Sequence, residues 1–273
     1  MKCKVLHMIV VALMLIISAG CGEQSQNNNA ISNTSGNNKV VIGFDEYFPP
    51  FGFRDESGEI IGFDVELAKE TMRRLGREVE FKPIDWSNKE NELNSGNIDM
   101  IWNGLEIIKE RRQYILFSDP YMNSGQIVFV SHTNQSEKFT DKSKLAGLVI
   151  GLQKDSTAEM RLNLDNDLRF TSKELRFYDD TTTAFNDLAE RKIDAVIGDE
   201  INGRYYIFKN GLEDKIDALD IFIGDKGDIA VGFRKDSTEL CSEVQQAFDS
   251  MVKDGTARKI SEKWFGKNLI ISK

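Results

Sequence analysis

The chain has 273 residues, with 44 Asp and Glu against 35 Lys and Arg, and a formal charge of −9. That length is ample for one large or two medium domains, and the acidic balance argues against nucleic acid and anionic membrane surfaces as partners while mildly favouring cationic ligands. His7 and His132 are its histidines and no Cys cluster accompanies them, so no metal site is expected. A Gly-rich phosphate loop, Gly-x-Ser-x-Gly and His-Glu-x-x-His are all missing, and no cofactor is expected either.

Met1-Lys-Cys-Lys leads into an apolar block, Val5 to Ile17. The block is too short for a spanning helix of ~20 residues but suits a secretory h-region. Ser18-Ala-Gly-Cys21 follows and resembles a bacterial lipobox, in which the cysteine becomes the lipid-modified first residue; ordinary cleavage with Cys21 incidental is the alternative. Residues 1–20 thus read as a signal peptide, and 21–38, made of Gly, Gln, Ser, Asn and Thr, as a disordered tether. Setting the signal aside removes Lys2 and Lys4 and makes the charge more negative by two. Only Cys241 is then left, so no intramolecular disulfide is expected despite an exported address.

From residue 39 short β-branched runs alternate with amphipathic stretches, the pattern of an α/β fold with parallel strands. Val40 to Phe44 reads as a buried strand. Asp64 to Leu75 reads as a helix, with Val65, Ala68, Met72 and Leu75 on one face, Asp64 as its cap and Gly76 as its end. A strand at Val79 and Phe81, a helix from Ser87 to Ser95 and a strand from Ile98 to Trp102 follow. Lys109-Glu-Arg-Arg112 reads on charge pattern as a solvated helix face. Gln126 to Ser131 is a strand. A second set comprises strand Leu148 to Leu152, a helix from Ser156, strand Leu175 to Tyr178, helix Thr181 to Arg191 and strand Ala195 to Gly198. Ile229 to Phe233 is read as one strand. It is followed by a helix with Leu240, Val244, Ala247 or Phe248, and Met251 inward, and by a last helix ending at Trp264-Phe-Gly266.

Two segments echo each other: Leu93-Asn-Ser-Gly-Asn-Ile-Asp-Met-Ile101 and Leu188-Ala-Glu-Arg-Lys-Ile-Asp-Ala-Val196. Each is a helix end, a tight turn and a strand, so two lobes of similar build are expected, with two unrelated helix-turn-strand units as the alternative. Ligands of open α/β sheets sit beyond the carboxyl ends of the strands. The echo sets Asn103 opposite Gly198 and Gly104 opposite Asp199, just past those ends.

Gly62-Phe-Asp-Val-Glu-Leu-Ala, the Arg111 to Tyr121 block, Gln153-Lys-Asp-Ser-Thr-Ala, Ile193-Asp-Ala-Val-Ile-Gly-Asp199 and Lys263-Trp-Phe-Gly are each weak signals alone. Together they resemble the extracellular solute-binding proteins of polar amino-acid ABC importers over residues 39–266. The resemblance implies a two-lobed α/β fold of the type II periplasmic-binding-protein kind. Its two hinge strands would lie near Tyr121 to Val128 and Gly227 to Gly232. The lobes would divide as 39–124 with 229–273, and 125–228. It also implies a monomer that serves a membrane permease with a cytoplasmic ATPase.

A free amino acid is a zwitterion, so a closed cleft must offer donors to its carboxylate and an anion to its ammonium. A planar guanidinium suits the carboxylate. Spacing leaves Arg111 and Arg112 open, and the resemblance selects Arg111. Ser156 and Thr157 open a helix, where free N–H groups and hydroxyls add donors; read as structure alone, Ser156 is an N-cap. Asp199 matches the family's aspartate for the ammonium, with an N-cap role as the alternative. Asp45 matches the residue that meets a polar or cationic side chain, and Phe48 and Trp86 match the positions that sandwich it. Glu106 departs from the pattern, because relatives usually have Ser or Thr there. Facing the cleft it adds an anion near the ammonium or pairs with Arg111; otherwise it points to solvent. Asp45, Glu106 and Asp155 lean towards Lys, Arg or His, with glutamine and cystine open. A ligand-sensing surface lipoprotein is one alternative function. A cyclohexadienyl dehydratase-like enzyme, with Glu106 as general acid, is another.

Overall fold

The computed structural model describes residues 38–132 and 139–271. The signal peptide, Cys21 and the tether up to residue 37 lie outside the described residues. In chain order the elements are β1 Lys39–Phe44, β2 Tyr47–Phe48, β3 Gly52–Arg54, β4 Ile60–Ile61, α1 Phe63–Leu75, β5 Glu78–Pro83, α2 Lys89–Asn94, β6 Met100–Ile101, β7 Leu116–Phe117, β8 Met122–Ser124 and β9 Gln126–Ser131. They continue as β10 Val149–Gln153, α3 Thr157–Leu164, α4 Asn166–Thr171, β11 Glu174–Tyr178, α5 Thr181–Ala189, β12 Ala195–Asp199, α6 Glu200–Lys209, β13 Ile216–Phe222, β14 Gly227–Ile229, β15 Gly232–Phe233, α7 Thr238–Lys253 and α8 Thr256–Phe265. Among the described residues no helix is long and apolar enough to cross a membrane.

Two five-stranded sheets organise the body, in the orders β5-β1-β6-β15-β7 and β11-β10-β12-β9-β13. Each begins with three parallel strands, β1 flanked by β5 and β6, and β10 flanked by β11 and β12. The expected two-lobed α/β architecture is therefore present, with one difference. Neither sheet is wholly parallel, because β15 and β9 run antiparallel to their neighbours. They enter from the antiparallel pair β8–β14, which lies outside both large sheets.

The echo between the two halves has a physical basis. The Asp99 carboxylate accepts the Val41 N–H at 2.8 Å, and the Asp194 carboxylate accepts the Val149 N–H at 2.8 Å. Each aspartate thus satisfies one N–H just before the ladder to β6 or β12 begins at the next residue, Ile42 or Ile150. A Cβ on Gly43 would overlap Ile98, and one on Gly151 would overlap Ile193, so each isoleucine of the echo lies directly over a glycine of the neighbouring strand.

Strand β9 shows why the second lobe holds together. Ile127 and Phe129 face one cluster with Phe185 and Val196, whereas Val128 and Val130 face another with Ile150 and Ile197, the alternation of a strand covered on both faces. In the first lobe, Phe63, Leu67 and Met72 of α1 pack with Val244, Phe248 and Met251 of α7 and with Trp102 and Tyr121. Burying each such side chain contributes about 1.5–3 kcal/mol.

Several expected elements differ. Asp64 does not cap α1: Gly62 holds that position at φ 144°, where any side chain would strike the Phe51 carbonyl. The stretch 98–102 is paired only at Met100–Ile101, and 87–95 begins as a 3₁₀ turn, Trp86–Asn88. The run 229–233 splits, with Ile229 ending β14 and Gly232–Phe233 forming β15 in a different sheet. The Lys109 to Arg112 run forms no α-helix. It holds one 3₁₀ turn, Arg111–Gln113, with Arg111 buried and Lys109 and Arg112 exposed.

Helix α6 starts at the Asp199 cap and passes so close to β9 that a Cβ on Gly203 would overlap the Phe129 ring. That ring is held edge-on by Phe185 at 5.0 Å and has little room to yield. Gly203→Ala should therefore lose more by overpacking, about 1–3 kcal/mol, than it gains in helix propensity, roughly 1 kcal/mol. Thermal unfolding would report a lower Tm, and an unchanged or higher Tm would refute the close approach.

Candidate functional site

A cavity of about 440 Å³, the open solvent at its mouth included, lies between the carboxyl ends of the two sheets. Its walls are Phe48, Trp86 and Gly104 from the first lobe, Ser156, Thr157, Ala158, Thr181, Ile197, Gly198 and Asp199 from the second, and Gln126 and Gln153. Six of the ten expected ligand residues line it. Of the other four, Asp45, Glu106 and Arg111 each hydrogen-bond a wall residue, and Asn103 lies behind Asp45.

Arg111 is 3% exposed and donates from Nη1 to Thr157 Oγ1 and to the Glu106 carbonyl, both at 3.1 Å. Nη2 reaches the Asp155 carbonyl at 3.4 Å, and Nε lies 3.6 Å from a Glu90 carboxylate oxygen with no hydrogen-bond partner among the described residues. Desolvation pulls its pKa down, opposed by Glu90 and Glu106. Lys89, 1% exposed, donates to the same Asp155 carbonyl at 2.9 Å and to the Trp86 carbonyl at 3.0 Å. Burial and the neighbouring Arg111 charge lower its pKa to about 8. Two cations of the first lobe thus converge on one backbone oxygen of the second.

Ser156 is the N-cap of α3, accepting the Glu159 N–H at 3.3 Å and donating to the Gln153 carbonyl at 2.8 Å. Its hydroxyl is engaged locally, whereas the N–H groups of Thr157 and Ala158 belong to a first turn that has no earlier helical carbonyl to meet. Asp199 caps α6, accepting the N–H groups of Ile201 and Asn202 at 2.9 Å on the same oxygen, Oδ1. Burial pushes its pKa up to about 6, against the pull of Ser124 and Asn202. The capping reading and an anion at the cavity wall therefore coexist.

Asp45 accepts Gln153 Nε2 at 2.7 Å and the Tyr47 N–H at 2.9 Å, and burial raises it to about 6. Gln153 also donates to the Asp179 carbonyl at 3.0 Å, so its amide spans the two lobes. Asn103 is buried behind this pair, its Oδ1 accepting the Asp45 N–H at 3.0 Å, and it does not reach the cavity. Gly104 adopts φ 62° and donates its N–H to Asp64 at 2.6 Å. Asp64 also accepts the Tyr121 hydroxyl at 2.8 Å, so the residue expected to cap α1 instead ties the floor of the site to the core.

Glu106 does not point to solvent, and its carboxylate makes no hydrogen bond to Arg111, although its charge is felt by both Arg111 and Asp199. Its carboxylate, 4% exposed, pairs with Arg161 of α3 and accepts Gln126 Nε2 at 3.4 Å; only its carbonyl meets Arg111. Desolvation raises its pKa despite Arg161. Gln126, Gln153 and Thr181 were not foreseen as wall residues. Gln153 opens a motif already singled out by the family resemblance, and Thr181 follows the N-cap Asp180, so each carried a signal. Gln126 is the first residue of an apolar strand, and nothing in its neighbours marked it.

Two lobes meeting over a cavity with a capping aspartate in its wall and a buried guanidinium just behind it define a solute receptor. The chain belongs to the bacterial extracellular solute-binding proteins, family 3, whose pattern matches residues 40–267. It is 31% identical over 234 residues to the L-cystine-binding protein TcyJ of Escherichia coli (strain K12), covering 84% of each chain. Among solved structures it is similar to an ABC uptake transporter substrate-binding protein from Streptococcus pneumoniae with bound histidine. The TM-score is 0.82 and the identity 33%, with 86% of this chain and 96% of that one covered. It is also similar to an ancestral amino acid-binding protein that is a precursor of cyclohexadienyl dehydratase. Here the TM-score is 0.75 and the identity 29%, with 84% and 96% covered.

Asp64 is driven by burial to about 7, above its unfolded value near 4. Across that window the folded form holds a proton that the unfolded form has released, so this group's contribution to stability falls as pH rises from about 4 to 7. Asp64→Asn removes the titration while keeping an acceptor for Gly104. Urea midpoints measured from pH 4 to 7.5 should fall less steeply in the variant than in wild type. Parallel profiles would refute the assignment.

Proposed function

We propose that this chain is a lipid-anchored receptor outside the cytoplasm. Its two lobes close on a polar or basic L-amino acid, which it delivers to a membrane permease with a cytoplasmic ATPase. It acts as a monomer and catalyses no reaction. The observation that carries this reading is the pair of unlike buried charges at the cavity: the Arg111 guanidinium beside Thr157 at the start of α3, and the Asp199 carboxylate at the start of α6. An α-carboxylate finds donors at the first, with the open N–H groups of the helix beside it. An ammonium finds an anion at the second, whose Oδ2 is not used in capping.

The side chain of the ligand extends towards Phe48, Trp86 and Gln153. Asp45 stands behind Gln153, so a guanidinium, imidazole or amide donor meets either the amide oxygen or, by displacing the amide, the carboxylate. The names of similar proteins support this range, since one binds L-cystine and another was solved with histidine. The lobes, 39–124 with 229–273 and 125–228, move about β8 and β14, with ligand contacts to both lobes stabilising the closed arrangement. Cys21 carries the lipid. Glu106, the residue considered as a general acid, is engaged by Arg161 outside the cavity wall, which counts against that role.

A thermal-shift screen of the twenty amino acids with cystine and ornithine identifies the ligand, and calorimetry should give near one-to-one binding. Arg111→Ala and Asp199→Asn should each weaken it by roughly a hundredfold or more, the loss expected when one partner of a buried charged contact is removed. Undiminished affinity in Arg111→Ala would eliminate the clamp, and turnover of prephenate or arogenate would overturn the non-enzymatic reading. Labelled palmitate should be incorporated into the wild-type protein and not into Cys21→Ser, and equal labelling of the two would remove the lipid anchor.

A further inference from the structure

The pair formed by Glu106 and Arg161 serves neither the cavity wall nor the surface. Glu106 stands next to the first lobe's Leu105 and forms an isolated bridge with Ile229, whereas Arg161 belongs to α3 of the second lobe. Their side chains are 4% and 14% exposed. Gln126 adds an amide to the carboxylate, and Arg161 Nη1 approaches the Ile223 carbonyl at 3.5 Å. Two glycines make room for them. A Cβ on Gly227 would overlap the Glu106 carboxylate, and one on Gly224 would meet the Arg161 guanidinium.

Thr157 and Arg161 are four residues apart on α3 and share one face. Arg111 meets Thr157, and five residues earlier in the chain Glu106 meets Arg161. The segment 106–111 therefore contacts α3 at two successive turns, the second through an ion pair made wholly of protein atoms. The helix whose first turn faces the cavity is the one this pair holds.

We infer that Glu106 and Arg161 form a latch between the lobes that favours closure independently of ligand, so that both are positioning residues that set affinity without touching the ligand. The inference deepens the two-lobed receptor reading and rests on it. A closed population present before binding raises apparent affinity in proportion to that population, so weakening the latch should cost affinity for every ligand alike.

The test uses the full mature protein, stripped of ligand by unfolding and refolding, with Glu106→Gln, Arg161→Met, the double variant and the charge-keeping Arg161→Lys. Small-angle scattering in the absence of added amino acid should show each neutralising variant more expanded than wild type and Arg161→Lys closer to wild type. Circular dichroism should be unchanged throughout. With L-histidine, L-arginine and L-cystine as probes, affinity for any that binds should fall about tenfold in either single variant, with the double variant no worse. Equal ligand-free dimensions in all proteins, or losses that add in the double variant, would overturn the latch. Scattering needs no ligand, so failure of all three probes would count against the proposed amino-acid range while leaving the latch to be decided by compactness.

Discussion

A fully buried guanidinium is expensive to desolvate, and the arrangement around the cavity follows from meeting the donors of Arg111. The Glu106 carbonyl on its own lobe takes one, and Thr157 and Asp155 on the other lobe take two more. Since two of those acceptors belong to the opposite lobe, the charge is well solvated by protein only when the halves meet. Lys89 obeys the same rule, with its ammonium on the Asp155 carbonyl and 5.1 Å from the Trp86 ring. Asp155, whose carbonyl serves both, takes a positive φ of 50° immediately before the cap of α3.

The anionic side of the cavity is arranged differently. Asp45, Asp64 and Asp199 are all buried and all titrate higher than an exposed carboxylate, yet none has a side-chain cation as its main partner. Amides, backbone N–H groups and a phenol hold them instead. Carboxylates held by neutral donors retain some capacity to attract a cation, whereas a carboxylate already paired with arginine, as Glu106 is, has less to offer.

Much of the fold was legible because its signals are local. The 3.6-residue spacing of Val244, Phe248 and Met251, the Gly76 stop and the apolar run of β9 each depend on a few neighbours, and each appears where expected. What escaped depends on distant residues. Asp64 reads as a cap until Gly104 and Tyr121 are seen to converge on it. The run 229–233 reads as one strand because nothing local reveals that its ends pair with different sheets. At the cavity, Ser156, Thr157 and Asp199 were readable from their places at helix starts, whereas Gln126 at the start of β9 was not, nor was the partner of Glu106, because Arg161 is 55 residues away and looks like an ordinary helical charge.

The matched joints at Asp99 and Asp194 carry a consequence for how such a receptor can change over time. Each joint is made from a carboxylate, a backbone N–H and an isoleucine set over a glycine, and none of those groups reaches the cavity. A few residues downstream, Gly104 in one lobe and Gly198 and Asp199 in the other do reach it. The scaffold and the selective surface are thus adjacent in sequence but separate in their physical demands. A change in the groups that face the ligand therefore leaves the joints that fold the lobes untouched.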